Sequence, residues 1–284
     1  MVKKGRKKVK NLQAKTAIVC GGSMGIGKET AKEIVRLGGS VCIIARHLLP
    51  LEEAKDEIQQ MIHEDLQFVE MIISDTTDSQ ELEIQLVPFI EQHGVPDYLI
   101  NAVGYAYPQY LEKLTLEDFR NAMKMNYYGQ LIPTMILLPY FHKACKGHIA
   151  FISSVMGFLG IMGYASYAPT KFALVGLAEV MRHELKPHNI DVSILFPPDT
   201  VTPGFEMENR SKPPECAMIS RGVKVLSPTK VAEEFIEGLL ARKFFILPGG
   251  ASRTWKLFRF FPWLVRAIID RQYYAAMKEL GKLP

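Results

Sequence analysis

The short apolar run Thr16-Ala17-Ile18-Val19-Cys20 leads straight into Gly21-Gly22-Ser23-Met24-Gly25-Ile26-Gly27, and helical spacing follows from Gly25 until Gly38-Gly39 stops it after Leu37. A strand that turns this sharply into a helix opens a βαβ unit, and few folds accommodate one. Glycine at Gly21, Gly25 and Gly27 permits a tight turn, close approach of backbone to a phosphate, and close packing of helix on strand. The amino terminus of that helix then presents unpaired N–H groups and the positive end of its dipole to an anion. Gly21, Ser23, Gly25, Ile26 and Gly27 are therefore the residues expected to cradle a dinucleotide pyrophosphate.

The rest of the chain continues the alternation. Apolar runs at Val41–Ala45, Phe68–Ile73, Tyr98–Asn101, Ile149–Ser153 and Val192–Phe196 read as buried strands, and helical spacing marks 51–64, 81–92, 115–143, 167–185 and 228–240. Right-handed βαβ connections follow, giving one Rossmann-type α/β domain over residues 14–250, a doubly wound parallel sheet with helices on both faces. With 284 residues and 48% hydrophobic content the chain can bury such a core without a second domain. Ligands in this architecture gather at the carboxyl ends of the strands. At the end of the second strand, where an acid would bind the ribose hydroxyls of NAD, stands Ala45-Arg46-His47. An arginine there pairs with a 2′-phosphate, so NADPH is the expected cofactor and Arg46 its discriminator. Asp75, just past the third strand, is placed either to meet the adenine edge or to cap a turn.

Charge is unevenly spread. The net +4 includes six basic groups and no acid in the first ten residues, and +5 in residues 251–284, which leaves −7 for residues 11–250. A negative body argues against a nucleic-acid-binding face. Residues 1–13 read as a basic disordered tail, and residues 251–284 as an amphipathic helical extension. On one wheel Leu257, Phe258, Phe260, Phe261, Leu264, Val265, Ile268 and Ile269 share a side opposite Lys256, Arg259, Arg266 and Asp270, with Trp255 and Trp263 in the same stretch and a kink at Pro262. Such a helix suits either a lipid surface or a second subunit, and it is too short to span a bilayer. The four cysteines show neither CxxC spacing nor a histidine cluster, so no metal site is expected.

Tyr167 and Lys171 stand four residues apart at the start of a helical stretch. The spacing puts phenol and ammonium on one face, and a neighbouring cation is expected to lower a tyrosine pKa from its reference value of about 10. That describes a proton donor usable near neutral pH.

In order and spacing these residues resemble the short-chain dehydrogenase/reductase family over most of residues 14–250. Gly21–Gly27 matches its coenzyme turn, with Cys20 in place of the usual threonine. Asn101-Ala102-Val103-Gly104 stands where the family has Asn-Asn-Ala-Gly, so Asn101 and Gly104 join the cofactor set although the second asparagine is absent. Asn126 falls at the catalytic-site asparagine, Ser154 precedes Tyr167 by thirteen residues, and Tyr167-Ala168-Pro169-Thr170-Lys171 is the Tyr-x-x-x-Lys motif. The resemblance implies that Tyr167 is the general acid, that Ser154 polarises a carbonyl oxygen, that Lys171 tunes Tyr167 and binds the nicotinamide ribose, and that Asn126 links Lys171 to solvent. Ser153 is left as a strand-end hydrogen bonder.

Most members continue after the sixth strand with Pro-Gly; this chain reads Pro197-Pro198-Asp199-Thr200-Val201-Thr202-Pro203-Gly204-Phe205 and on through Glu208 to Glu215. That run resembles the branch of the family that reduces the C3 ketone of a long-chain sphingoid precursor with NADPH at the cytosolic face of a membrane, the endoplasmic reticulum in a eukaryote. A long-chain ketone lipid, a membrane surface and a second copy of the chain are the partners this implies. Reduction of a steroid, retinoid or other fatty ketone, or a nucleotide-binding scaffold without catalysis, are the competing readings. Tyr105, Tyr107, Tyr164 and Phe205 stand near the site with no role assigned.

Overall fold

Strands β1 (Thr16–Cys20) and β2 (Ser40–Ala45) send Ile18, Cys20, Cys42 and Ile44 to one face of a sheet and Ala17, Val19, Val41 and Ile43 to the other, and all eight are buried. A strand covered on both faces has no polar side to show, which is why these segments read as unbroken apolar runs. The computed structural model describes residues 11–221 and 223–283. Residues 1–10, most of the expected basic tail, lie outside the described residues.

Along the chain, α1 (Gly25–Arg36) follows β1, and β2 leads to α2 (Leu48–Gln59), β3 (Val69–Ile73), α3 (Ser79–His93) and β4 (Tyr98–Asn101). Then come α4 (Leu116–Met123), α5 (Gly129–Ala144), β5 (Gly147–Ile152), α6 (Ala168–Leu185) and β6 (Ile190–Leu195). The last third holds α7 (Pro203–Ser211), α8 (Pro214–Ile219), α9 (Pro228–Leu240), β7 (Phe245–Ile246), α10 (Ala251–Phe260) and α11 (Pro262–Glu279). The seven strands form one parallel sheet in the order β3-β2-β1-β4-β5-β6-β7. On one face α3, α5 and α6 contribute Leu82, Leu86, Leu137, Phe141, Leu174 and Met181; on the other α1, α2 and α9 contribute Ala31, Ile34, Leu51, Ile58, Val231 and Phe235. The chain reverses winding direction between β1 and β4, where Cys20 and Asn101 are register partners. The Gly21 turn and the Ala102–Gly104 segment thus leave the sheet side by side, tied by Ala102 N–H to the Cys20 carbonyl at 2.8 Å. A crevice at such a switch point is where this architecture places its ligand.

Residues 115–143, expected as one or two helices, are two: α4, started by a Thr115–Asp118 capping box, passes through one wide π-helical turn at Lys124–Tyr128 before α5 begins. Two other expectations need correction. The carboxyl extension is two helices: Pro262 has no N–H to continue α10, and Phe261 takes φ −132° and ψ 57° between them. One wheel therefore merges two faces, since Phe258, Val265 and Ile269 pack on the core while Leu257, Phe260, Phe261, Trp263 and Ile268 are exposed. Finally, Leu12 is buried against Ile34 and Val35, with its N–H bonded to the Leu37 carbonyl at 2.8 Å, so order begins before residue 14.

Candidate active site

The glycine turn is packed so tightly that side chains are excluded from it. A Cβ on Gly27 would sit 2.1 Å from the Gly21 carbonyl oxygen, and one on Gly21, at φ +83°, would sit 3.0 Å from Val103 N. Gly25 takes φ +57°, and the N-cap residue Met24 offers α1 no side-chain bond and its first turn no acid. Open N–H groups at a helix start beside bare backbone are suited to a pyrophosphate. Ser23 and Ile26 lie within this turn, and the Ile26 carbonyl accepts from Thr30 Oγ1 at 2.7 Å.

Arg46, at the end of β2, is half-exposed; its guanidinium lies 3.9 Å from Asp75 Oδ2 and 3.8 Å from Met125 Sδ, and its Nε meets His47 Nε2 at 3.2 Å. The other Asp75 oxygen accepts from Thr77 N–H at 2.9 Å and Thr77 Oγ1 at 2.8 Å, so Asp75 caps a turn while it orients Arg46. Its pKa is lowered: the Thr77 bonds and the Arg46 charge outweigh the opposing, and largest, effect of burial. Asn101 is fully buried, with Nδ2 donating to Thr134 Oγ1 at 3.0 Å and Oδ1 lacking any partner. Asn126 is likewise buried in the π-helical turn; its Oδ1 accepts from Tyr105 N–H at 2.8 Å and its Nδ2 is unpartnered. Unpaired buried polar atoms are costly, and two of them at the carboxyl ends of the strands fit a polar ligand or ordered water.

The four residues expected to act in catalysis come together at the carboxyl ends of β4 and β5. Ser154 Oγ accepts from Met156 N–H at 3.1 Å and acts on the Tyr167 hydroxyl, opposing the rise of its pKa. Lys171, 3% exposed, donates from Nζ to the Ile152 carbonyl at 2.9 Å. Gly104 closes the group: a Cβ there would meet Asn126 Oδ1 at 2.9 Å and Lys171 Nζ at 3.1 Å. Ser153 donates to the Lys171 carbonyl at 3.0 Å, a strand-end role distinct from that of Ser154. Gln130, which the sequence reading passed over, braces the floor by donating to the Val103 and Ile152 carbonyls at 2.9 and 3.1 Å and accepting from Ile152 N–H at 3.2 Å. A lone amide opening an otherwise apolar helix was its only signal.

The expected electrostatics are corrected by this geometry. Lys171 Nζ stands 5.5 Å from the centre of the Tyr167 ring and bonds a backbone carbonyl, not the phenol. Burial, and then the charges of Glu208 and Asp199, push the Tyr167 pKa up, the Ser154 hydroxyl opposing only in part. Burial alone pulls Lys171 down to about 7. Both shifts favour the neutral form, as removal from water must.

Beyond Tyr167 the segment after β6 forms a polar wall that residue spacing did not predict. The rings of Tyr164 and Tyr167 are 6.0 Å apart, and the Tyr164 hydroxyl donates to Glu208 Oε1. Lys212 Nζ pairs with Glu208 at 3.2 Å over the Phe205 ring. In α8, buried Glu215 accepts from Tyr110 Oη at 2.7 Å and pairs with Lys282 at 2.6 Å, which ties α11 to the wall. Tyr105 and Tyr107 are exposed.

A profile of the short chain dehydrogenase family matches residues 15–213. The chain belongs to this family. A 3-ketodihydrosphingosine reductase from Dictyostelium discoideum is 36% identical over 242 residues, spanning 80% of this chain and 72% of the relative. A 3-dehydrosphinganine reductase from Danio rerio is 36% identical over 228 residues, spanning 80% and 69%. Among solved structures, levodione reductase superposes with a TM-score of 0.78 at 20% identity over 86% of this chain and 99% of its own, a likeness of fold. A 7α-hydroxysteroid dehydrogenase complexed with NADH and 7-oxo glycochenodeoxycholic acid gives 0.71 at 26% identity over 81% and 88%. This short-chain dehydrogenase is thus an oxidoreductase of the Rossmann-type fold that uses a nicotinamide cofactor.

Proposed function

We propose that the protein reduces the C3 ketone of 3-ketosphinganine to sphinganine with NADPH, residues 14–250 forming the catalytic unit and residues 251–284 the extension. The observation that carries this reading is the convergence of Tyr167, Lys171, Asn126 and Gly104, Lys171 Nζ standing 5.5 Å from the Tyr167 ring, in a chain 36% identical to relatives named for that reduction. Gly21, Ser23, Gly25, Ile26 and Gly27 would hold the pyrophosphate and Arg46, oriented by Asp75, the 2′-phosphate, while Asn101, Gly104, Tyr167 and Lys171 would line the nicotinamide end. When bound, the cofactor supplies the hydride.

The protein's own residues manage the oxygen. Ser154 Oγ donates to the ketone oxygen and draws charge onto it. A Tyr167 phenol held well above its ordinary pKa stays protonated across the physiological range, as an acid must, and delivers its proton to the forming alkoxide. Lys171, balanced near pH 7, replaces that proton, and the free Asn126 Nδ2 would hold a water on the path to solvent.

No helix among the described residues is long and apolar enough to cross a membrane. The corner between α10 and α11 exposes Leu257, Phe260, Phe261 and Trp263 beside Lys256, Arg259 and Arg266. Aromatic groups rimmed by cations favour a headgroup layer, so this corner is read as the contact with a cytosolic membrane face, that of the endoplasmic reticulum in a eukaryotic host. A second copy of the chain is its competing occupant, and the homo-oligomer expected for the chain would seat there. Oxidation of NADPH with 3-ketosphinganine, measured against steroid, retinoid and simple fatty ketones, tests the function. In Tyr167→Phe, turnover is expected to fall at least 100-fold with NADPH binding kept, since general acids contribute about 10²–10⁴. Near-normal turnover in that variant would refute the mechanism, and a preference for the steroid would refute the substrate.

A further inference from the structure

Among the described residues of the polar wall, Asp199 is the acid that no hydrogen bond or ion pair engages. It follows β6, and its backbone is fixed: the Pro197 carbonyl accepts from Val155 N–H at 3.3 Å, next to Ser154, and the Asp199 carbonyl accepts from Leu226 N–H at 2.9 Å. Thr202, three residues on, lies 3.2 Å from where a Cβ on Gly25 would sit. The segment therefore runs from the catalytic serine to the glycine cradle with Asp199 between them.

The other acids here are satisfied: Glu208 by Tyr164 and Lys212, Glu215 by Tyr110 and Lys282, and Asp75 by Thr77. The Asp199 carboxylate is half-buried and, among the described residues, accepts no hydrogen bond and forms no ion pair. It does not cap the loop either, because a cap accepts a backbone N–H and Asp199 accepts none. Lys212, the cation whose field reaches it, is itself buried and committed to Glu208. The Pro197 carbonyl bonded beside Ser154 and Thr202 packed at Gly25 hold Asp199 between the two halves of the site, and its charge acts on Tyr167, Tyr164 and Cys216. A half-buried carboxylate with no partner costs stability unless a cation arrives to offset it.

We propose that Asp199 is a specificity residue whose carboxylate pairs with an ammonium one carbon from the reacting ketone, so that the site selects long-chain α-amino ketones over ketones lacking the cation. This rests on the reductase reading and names the feature of the substrate that the site recognises. It also gives the departure from Pro-Gly after β6 a chemical reason. The paired ammonium offsets the negative field that holds the Tyr167 proton tightly, so recognition of the correct substrate eases proton delivery.

The test measures kcat/KM with NADPH for 3-ketosphinganine and for the same hydroxyketone with hydrogen in place of the amine. The wild type should prefer the amine at least tenfold. In Asp199→Asn the ratio of the two should fall about 10- to 100-fold, the range for a charge-assisted hydrogen bond, with the loss mainly in KM, and Asp199→Glu should restore part of it. Equal loss on both substrates marks a merely structural residue and overturns the proposal, as does an unchanged ratio. Should the asparagine variant fail to fold, competition against wild-type enzyme decides: sphinganine must bind at least tenfold tighter than its deaminated diol, and equal binding overturns the proposal. A wild type that reduces the amine-free ketone with no preference refutes Asp199 recognition while leaving a reductase. One that reduces neither ketone overturns the reductase reading, and this proposal with it.

Discussion

Replacing Lys171 with methionine should make the protein more stable and nearly inactive, and the size of the gain follows from burial. Lys171 is 3% exposed, the hydrogen bond of its ammonium among the described residues goes to the Ile152 carbonyl, and its pKa falls from 10.5 to about 7. At about 1.4 kcal/mol per pKa unit, the buried charge costs the fold about 5 kcal/mol when fully protonated. Below pH 7 folded and unfolded chains both carry the proton, and the cost is present in full. Between pH 7 and 10.5 the unfolded chain holds a proton that the folded chain has lost, so stability rises with pH, and above 10.5 the cost is gone. Lys171→Met keeps most of the side-chain volume and forfeits one hydrogen bond worth about 1 kcal/mol, so a net gain of about 2–4 kcal/mol is expected at pH 6. Urea unfolding without cofactor at pH 6, 7.5 and 9 measures it, and the gap between variant and parent should shrink steadily toward alkaline pH. A variant less stable than its parent at pH 6, or a gap independent of pH, would show that the ammonium is solvated or paired, and the reasoning would fail.

Arg46→Ala should raise KM for NADPH by about tenfold or more and leave NADH almost untouched, since a charge-assisted pair with the 2′-phosphate is lost; an equal effect on both cofactors would remove Arg46 from that role. Gly27→Ala should lower thermal stability by at least the about 1–3 kcal/mol typical of overpacking, because its Cβ meets the Gly21 backbone 2.1 Å away, whereas Gly160→Ala, with nothing within 4 Å, should melt with the parent. If the two variants melt alike, the cradle is looser than its geometry. Flotation with phosphatidylcholine vesicles containing phosphatidylserine should carry the wild type upward and leave Phe260→Glu/Phe261→Glu/Trp263→Glu at the bottom; a wild type that does not float assigns the corner to another occupant.

Much of this fold could be read directly because its strands are covered on both faces. Thr16–Cys20 and Tyr98–Asn101 are apolar for that reason, and the glycines between β1 and α1 are required by close backbone contacts, so both leave marks in composition. The segment after β6 leaves none. Its helices α7 and α8 carry no apolar stripe; they are held by the Thr202 cap, the Tyr164–Glu208–Lys212 chain and the Glu215–Lys282 pair, contacts that join residues far apart in sequence. The break at Phe261 was signalled by Pro262, but a helical wheel assumes a continuous axis and so assigned Phe260 of α10 and Val265 of α11 to one side, although Phe260 is exposed and Val265 is buried in the core.

Spacing also misjudged the site for a physical reason. A tyrosine four residues before a lysine fixes direction along a helix start, yet it carries no information about solvent, and here loss of solvent outweighs the neighbour's charge: Tyr167 moves up and Lys171 down, each toward its uncharged form. The ligand-free pair is a neutral phenol beside a lysine near its midpoint, not a phenolate–ammonium ion pair. That is the resting state a reductase needs, because the phenol must hold its proton until an alkoxide forms and the lysine must be able to give one up soon afterwards. Two carboxylates, Glu208 and Asp199, strengthen the phenol's hold; Lys212 pairs directly with Glu208, and only its more distant field reaches Asp199. The charge left over at Asp199 makes the site most nearly balanced when a cation lies beside the ketone, so the same field that keeps Tyr167 protonated at rest also selects what releases the proton.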